Sequence, residues 1–159
     1  MKIVCQTGEV IEIEGVSFQN ARLDGLRLHR AIFENQPMQS ASFVTTDLRG
    51  ALFCKSDLSG ANFERASLIT AFLMGAKLTS ANLKDCRAIG CQFSDADLTG
   101  ANLEGADVGN ASFENARLQG ANLLCHRIES ASFKGATFDM KTLWPSGFDP
   151  ITSGAVLER

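Results

Sequence analysis

The chain has 159 residues, a formal net charge of −3 and five cysteines, which suits a single domain. Its acidic and basic residues are interspersed, which argues against strong attraction to nucleic acid and against a purely acidic surface. Because apolar runs stay well short of a membrane span and the first residues do not resemble a signal peptide, no membrane association is expected. An odd number of cysteines without a Cys-x-x-Cys pair is not typical of a disulfide framework, so we expect a reduced, cytoplasmic protein.

Residues 1–15 are expected to form an N-terminal β cap. Two short apolar runs flank Thr7 and Gly8, and the second run alternates apolar and polar side chains, which is typical of a β-hairpin or strand pair. Such a pair would cover the start of the next segment, where Val16, Phe18 and an unpaired strand edge would otherwise be exposed.

Residues 16–138 repeat a five-residue pattern in a single register. Each copy has a small residue, a polar residue, a large apolar residue, a polar residue and a turn residue, as in Ala81-Asn82-Leu83 and the two residues after it. A period of five fits neither a helix nor a strand, but it fits a chain that turns every five residues. Gly or Asn often ends the copy, where the third residue of a type II turn requires a positive φ.

This pattern resembles that of the pentapeptide-repeat family, Ala-(Asp/Asn)-Leu followed by two variable residues, over about three-quarters of the chain. The resemblance implies an all-β fold: a right-handed quadrilateral parallel β-helix, a solenoid with four pentads per coil. About six coils and short N- and C-terminal caps would account for the whole chain.

Four pentads per coil would stack residues that are twenty apart. One inward column is then almost purely Phe, and outward columns carry stacked asparagines or charges of alternating sign. Ala88, flanked by Cys86 and Cys91, predicts one weakly filled layer. Pro37 lacks a backbone donor, so we expect the ladder to be broken or bulged there. The inward Phe column is Phe33, Phe53, Leu73, Phe93, Phe113 and Phe133.

Residues 139–159 leave the pattern and are expected to form the C-terminal cap. Trp144 and Phe148 are the natural lid on the last coil. The ending Thr-x-x-Pro-x-Gly-Phe-Asp-Pro, from Thr142 to Pro150, resembles that of many cyanobacterial members of the family.

Catalytic motifs are not evident. His29 and His126 would lie five coils apart on one face, and His126 is expected to point inward while Cys125 points outward, so no Cys–His pair forms. The glycines recur at turn positions and form no phosphate loop. We predict no catalytic residue, no cofactor and no metal site.

A candidate interface lies outside the Phe column. Ile32, Leu52 and Phe72 are expected to stack on the outer surface, and polar residues fill the same column in later coils. An apolar stripe among polar columns is typical of an interaction surface, although side-chain packing along a sheet would give the same pattern. The candidate set is Ile32, Leu52, Phe72, Cys54, Met74, Ile69 and Ile89.

Three functions are compatible with this sequence. The leading hypothesis is a non-catalytic protein-interaction module that presents one face of its rod to another protein, or to a second copy of itself. The resemblance also implies regulation through protein contacts in some cyanobacterial members. The second is a DNA-mimicking modulator of DNA gyrase or topoisomerase, as in the quinolone-resistance branch, but basic residues interrupt every acidic column here. The third, an enzyme, would require a deep pocket with a metal around His126.

Overall fold

The computed structural model describes residues 1–15 and 17–158. Val16 and Arg159 lie outside the described residues. The prediction that the N-terminal cap covers Val16 therefore concerns a residue outside that range. The described ranges contain five short strands and one 3₁₀ turn: β1 Lys2–Cys5, β2 Val10–Glu12, β3 Ala31–Ile32, the 3₁₀ turn Ile128–Ser130, β4 Thr137–Phe138 and β5 Val156–Leu157.

The repeats form a β-helix solenoid built mainly from single-residue parallel bridges. Residues twenty apart pair in four columns, which begin with Arg22–Ser42, Arg27–Asp47, Ile32–Leu52 and Pro37–Asp57. Two backbone hydrogen bonds hold each bridge. The N–H of the residue on the later coil donates to the carbonyl of the residue before its partner, and its carbonyl accepts from the N–H of the residue after its partner. Regular strands stay short because the chain turns before a ladder can extend.

A tight turn closes each pentad. Ala66 N–H donates to the Phe63 carbonyl at 2.9 Å, and Arg65, the third residue of the turn, has φ 56°. An i to i+3 bond with a positive φ at the third residue is the type II pattern, as the sequence predicts. Arg, Lys and Thr also adopt a positive φ at this position, as in Arg30, Lys55 and Thr45. The sequence analysis expected mainly Gly and Asn there.

The core is a stack of aromatic rings. Phe33 stacks on Phe53 with ring centroids 4.9 Å apart, and Phe43 stacks on Phe63 at 4.8 Å. The two columns meet edge to face, since the Phe43 and Phe53 rings are 5.6 Å apart at 85°. The layer around Ala88 is also completely buried, and the ladder passes through it without a gap.

Pro37 does not break the ladder toward the following coil, so the expected break is not found on that side; the side on which its N–H would donate involves Val16, which lies outside the described residues. Pro37 pairs with Asp57. The bonds of this bridge come from neighbours of the proline: Asp57 N–H donates to the Gln36 carbonyl at 3.0 Å, and Met38 N–H donates to the Asp57 carbonyl at 2.8 Å. The proline nitrogen takes no part in either bond.

Within the described part of the repeats, the register is interrupted near residue 125. Asp107 pairs with His126, nineteen residues later, instead of residue 127. Cys125 N–H bonds the Leu123 carbonyl at 2.7 Å, so the chain reaches the next outward position one residue early. The 3₁₀ turn that follows restores the spacing before Ser132. Consequently Cys125 is buried and His126 is exposed, the reverse of the sequence prediction.

Both ends of the solenoid are covered. β1 and β2 form an antiparallel hairpin, and β1 also pairs antiparallel with β3, with Val4 opposite Ile32. At the other end β5 pairs in parallel with β4. Trp144 and Phe148 pack edge to face on Phe133 with centroids 5.3 and 5.5 Å away, so they form the lid that the sequence predicted.

Candidate protein-interaction surface

Three predicted surface residues lie in one outward column. Bridges connect Ile32 to Leu52 and Leu52 to Phe72, which sets their side chains side by side because paired residues point to the same face. Ile32 and Phe72 are each 37% exposed, and Leu52 is half-buried. The column turns polar at Gln92, the next residue in the ladder.

The N-terminal hairpin lengthens this column. Val4 pairs with Ile32 and Val10 pairs with Val4, and the two valines are 47% and 50% exposed. Sequence reasoning missed them because nothing in the local pattern shows which coil the hairpin joins. We call these five residues, Val10, Val4, Ile32, Leu52 and Phe72, the apolar row.

The other predicted residues lie beside the apolar row. Cys54 and Met74 follow it on one flank, where Met74 is exposed and Cys54 is half-buried. Partial burial is the main cause that raises the pKa of the Cys54 thiol, so this thiol stays protonated at neutral pH. Ile69 and Ile89 are half-buried on the neighbouring face. Five of the seven predicted residues therefore share one face of the rod, and the other two lie on the neighbouring face.

A basic depression of about 380 Å³ adjoins the opposite flank. Arg49 donates two hydrogen bonds to the Asp47 carboxylate at 2.8 and 2.7 Å, and these bonds are the main reason that the pKa of Asp47 is lowered. Arg30 forms no ion pair within the described part of the chain. The residues that line the depression are His29, Arg30, Arg49, Gly50 and Thr70.

Ion pairs between adjacent coils interrupt the acidic columns. Lys84 lies 3.1 Å from Glu104 and Arg117 lies 3.7 Å from Asp97. Arg127 donates to the Asp107 carboxylate, with Nε 2.6 Å from Oδ1. These columns therefore carry alternating charge.

The irregular turn near the C-terminal cap forms a second depression, of about 310 Å³, lined in part by Cys125, His126 and Phe148. The thiol and the imidazole point to opposite sides of the backbone. Burial raises the pKa of Cys125 to about 12, so a thiolate nucleophile is not formed at neutral pH. Within residues 1–15 and 17–158, no group of three metal-binding side chains comes together. No helix in the same ranges has the length and apolar character to cross a bilayer.

Comparison with known proteins identifies the repeat. The model of pentapeptide repeats matches in eight copies, over residues 38–68, 46–85, 56–95, 76–115 and 96–135. No protein of curated function matches the sequence significantly.

Solved structures of repeat proteins are similar to the chain. A pentapeptide repeat protein (Rfr23) from the cyanobacterium Cyanothece 51142 is 30% identical, with 79% of this chain and 88% of that chain covered and a TM-score of 0.56. HetL, a pentapeptide repeat protein involved in heterocyst differentiation regulation from the cyanobacterium Nostoc sp. strain PCC 7120, is 20% identical over 87% of this chain and 83% of its own, with a TM-score of 0.49. QnrB1, a plasmid-mediated fluoroquinolone resistance protein, is 17% identical over 92% and 86%, with a TM-score of 0.47.

Proposed function

Since this chain belongs to the pentapeptide-repeat family, we propose that it is a non-catalytic protein-interaction module whose binding surface is the apolar row. We further propose that its β-helix is a right-handed quadrilateral of about six coils. The four columns of bridges between residues twenty apart support that geometry.

The apolar row is the observation that carries this proposal. Five apolar side chains line up across five adjacent strand positions, while the same column is polar in the later coils. Burial of a large apolar side chain contributes about 1.5–3 kcal/mol. The row side chains are already partly buried, with 37–50% exposed for the four most exposed, so the row contributes roughly 3–7 kcal/mol in all. This offsets the lower part of the association cost of about 4–15 kcal/mol.

The surroundings of the row favour binding over chemistry. Its five side chains carry no titratable group, and Cys125 and His126 lie on opposite sides of the backbone at the other end of the rod. The alternating charges along the ladder argue against the alternative of a DNA-mimicking modulator of gyrase or topoisomerase, which requires a continuous acidic surface. The cysteines are free and four are buried, which supports a cytoplasmic location.

The test is differential capture from a lysate of the source organism. The baits are the wild type, a Leu52→Lys/Phe72→Glu variant, and an Asn82→Lys/Asn102→Glu variant that makes matched changes at two bridged outward residues of the opposite column. Circular dichroism must show that all three are folded. We expect a protein that the wild type and the Asn82/Asn102 control retain and that the row variant loses. Equal recovery on all three baits would refute a binding role for the row.

A further inference from the structure

We propose that the apolar row packs against the same row of a second copy of this chain, in a parallel dimer whose two-fold axis runs along the solenoid. This inference rests on the proposed function, because it names a partner for the same surface. Such an axis keeps the two rods side by side at the same height. Each row residue then meets its own counterpart, and the two flanks of the row exchange.

The charges beside the row are self-complementary under this exchange. Arg30 and Glu34 lie two residues before and two residues after Ile32, so they flank the row on opposite sides. A two-fold axis along the row therefore places Arg30 of one copy against Glu34 of the other, and does so twice. Within the described chain, neither residue has an ion-pair partner of its own.

Both charged side chains reach the level of Leu52. The Arg30 Cγ lies 3.4 Å from the place that a Cβ on Gly50 would take, so the arginine stem runs down over this glycine. Glu34 is close enough to Cys54 to contribute to the raised pKa of that thiol, after the larger effect of burial. The centre of the row is thus bordered by a cation on one side and an anion on the other.

Among the residues two positions from the row, like charges do not meet. The β1–β3 register puts Lys2 on the Glu34 side and Gln6 on the Arg30 side, and the exchange sets the lysine against the glutamine. In the later coils the same operation pairs Met74 with Thr70, Ser94 with Gly90, Glu114 with Asn110, and Lys134 with Ser130. One position further out Arg49 faces Lys55, but Arg49 is already paired with Asp47.

The opposite orientation is less favourable. An antiparallel two-fold axis through Ile32, the centre of the row, would also pair apolar residues, Val4 with Leu52 and Val10 with Phe72. However, this axis does not exchange the flanks, so Arg30 would meet Arg30 and Glu34 would meet Glu34. The parallel arrangement pairs the same apolar residues and sets opposite charges together.

The size of the face sets the expected affinity. From β2 to Ser132 it spans eight strand positions, about 34 Å, and from residue 30 to residue 34 it spans about 13 Å. Its planar footprint of about 440 Å² lies below the roughly 800 Å² of accessible surface that each partner buries in a standard complex. We therefore expect a weak dimer with a dissociation constant of about 1–100 µM.

Sedimentation equilibrium of the full chain from about 1 µM to 1 mM tests the dimer. We expect Leu52→Lys and Arg30→Glu each to raise the dissociation constant at least tenfold. The exchanged variant Arg30→Glu/Glu34→Arg should return to within about threefold of the wild type, because the two-fold axis pairs the new charges again. Arg65→Glu is the matched control, since Arg65 occupies the same type of turn position with φ 56° at another corner, and it should leave the constant unchanged.

A wild type that stays monomeric up to 1 mM would overturn the dimer. So would a dimer that is insensitive to Leu52→Lys, or an exchanged variant that associates no better than Arg30→Glu in proteins shown to be folded by circular dichroism. A monomer that still captures a protein through the row would leave the proposed function intact. Equal recovery on all three baits would refute that function separately.

Discussion

Phe53 should be more costly to replace by leucine than Phe93, although both rings are completely buried in the same column. Phe53 forms three aromatic pairs: a stack on Phe33 at 4.9 Å, and edge-to-face contacts with Phe43 at 5.6 Å and Phe63 at 5.9 Å. Phe93 forms one among the described residues, a stack on its neighbour in the following coil at 4.9 Å. The difference is two aromatic pairs.

The expected difference in unfolding free energy follows from that count. Both variants make the same side-chain change, so the transfer and cavity contributions largely cancel. An aromatic pair contributes about 0.5–1.5 kcal/mol beyond its buried area. Phe53→Leu should therefore be about 1–3 kcal/mol more destabilising than Phe93→Leu. Leu73, which occupies the same column one coil after Phe53, shows that leucine fits the fold.

Urea unfolding followed by far-ultraviolet circular dichroism measures both variants. The free energies can be compared only if the denaturant slope is unchanged, because a changed slope signals partial unfolding of some coils. Equal losses within about 0.5 kcal/mol, or a larger loss for Phe93→Leu, would show that packing volume and not ring geometry stabilises this core.

Gly120→Ala and Gly154→Ala both place a side chain at a positive φ, but a Cβ on Gly120 meets open space whereas one on Gly154 lies 3.2 Å from a backbone atom of the preceding coil. Gly120→Ala should lower the unfolding free energy by about 1 kcal/mol, and Gly154→Ala should lower it further because the new Cβ is crowded. Thermal unfolding measures both, and equal decreases in Tm would contradict this prediction. The pKa of Asp107 is lowered mainly by its hydrogen bond from Arg127, so its stabilisation is present above pH of about 4 and is lost as the pH falls further. Asp107→Asn should lower Tm at pH 7 and shrink the loss of Tm between pH 7 and pH 3; an unchanged difference would rule out this pair as a source of acid sensitivity. Thr46→Ala removes a buried 2.7 Å hydrogen bond to a carbonyl of the preceding coil and should lower the unfolding free energy by about 1 kcal/mol in urea; an unchanged free energy would contradict a stabilising role for this bond.

The five-residue period determines which side chains point outward, and for this reason the alignment of Ile32, Leu52 and Phe72 could be predicted. The pairing of residues twenty apart also requires four pentads per coil, which came from the resemblance to the pentapeptide-repeat family and not from the period. The contribution of Val4 could not be predicted in this way, because it depends on how the hairpin pairs with β3, a contact between segments with no shared period.

The register interruption near Cys125 could not be predicted from the five-residue period of the apolar residues. The bridge to His126 spans nineteen residues instead of twenty, and the 3₁₀ turn that follows adds one residue before Ser132. The large apolar residues before and after the turn therefore keep the same five-residue spacing. One local signal was present: a histidine occupied a position that elsewhere holds a small inward residue. A large polar side chain at that position favours a shift that moves it to solvent and places Cys125 inside.

Hydrogen bonding at the turns explains why the apolar row is not a default of this fold. In ten of the described pentads the residue before the large apolar one is Asn, Asp or Ser, and its side chain accepts a hydrogen bond from the backbone N–H two residues later. Asn62 does so at 3.0 Å and Asp97 also at 3.0 Å. Ile32, Leu52 and Phe72 occupy the same position and cannot accept this bond.

Each of these apolar residues therefore forgoes a bond that contributes about 0.5–1.5 kcal/mol, and it exposes apolar surface as well. A polar residue would suit the isolated solenoid better at all three positions, as at Ser112 further along the same column, whose hydroxyl accepts this bond from the Glu114 N–H at 3.4 Å. Three successive departures from the polar pattern, continued by two valines of the hairpin, are accounted for if the row is covered by another protein surface. The aligned apolar side chains are then a property of the complex and not of the fold.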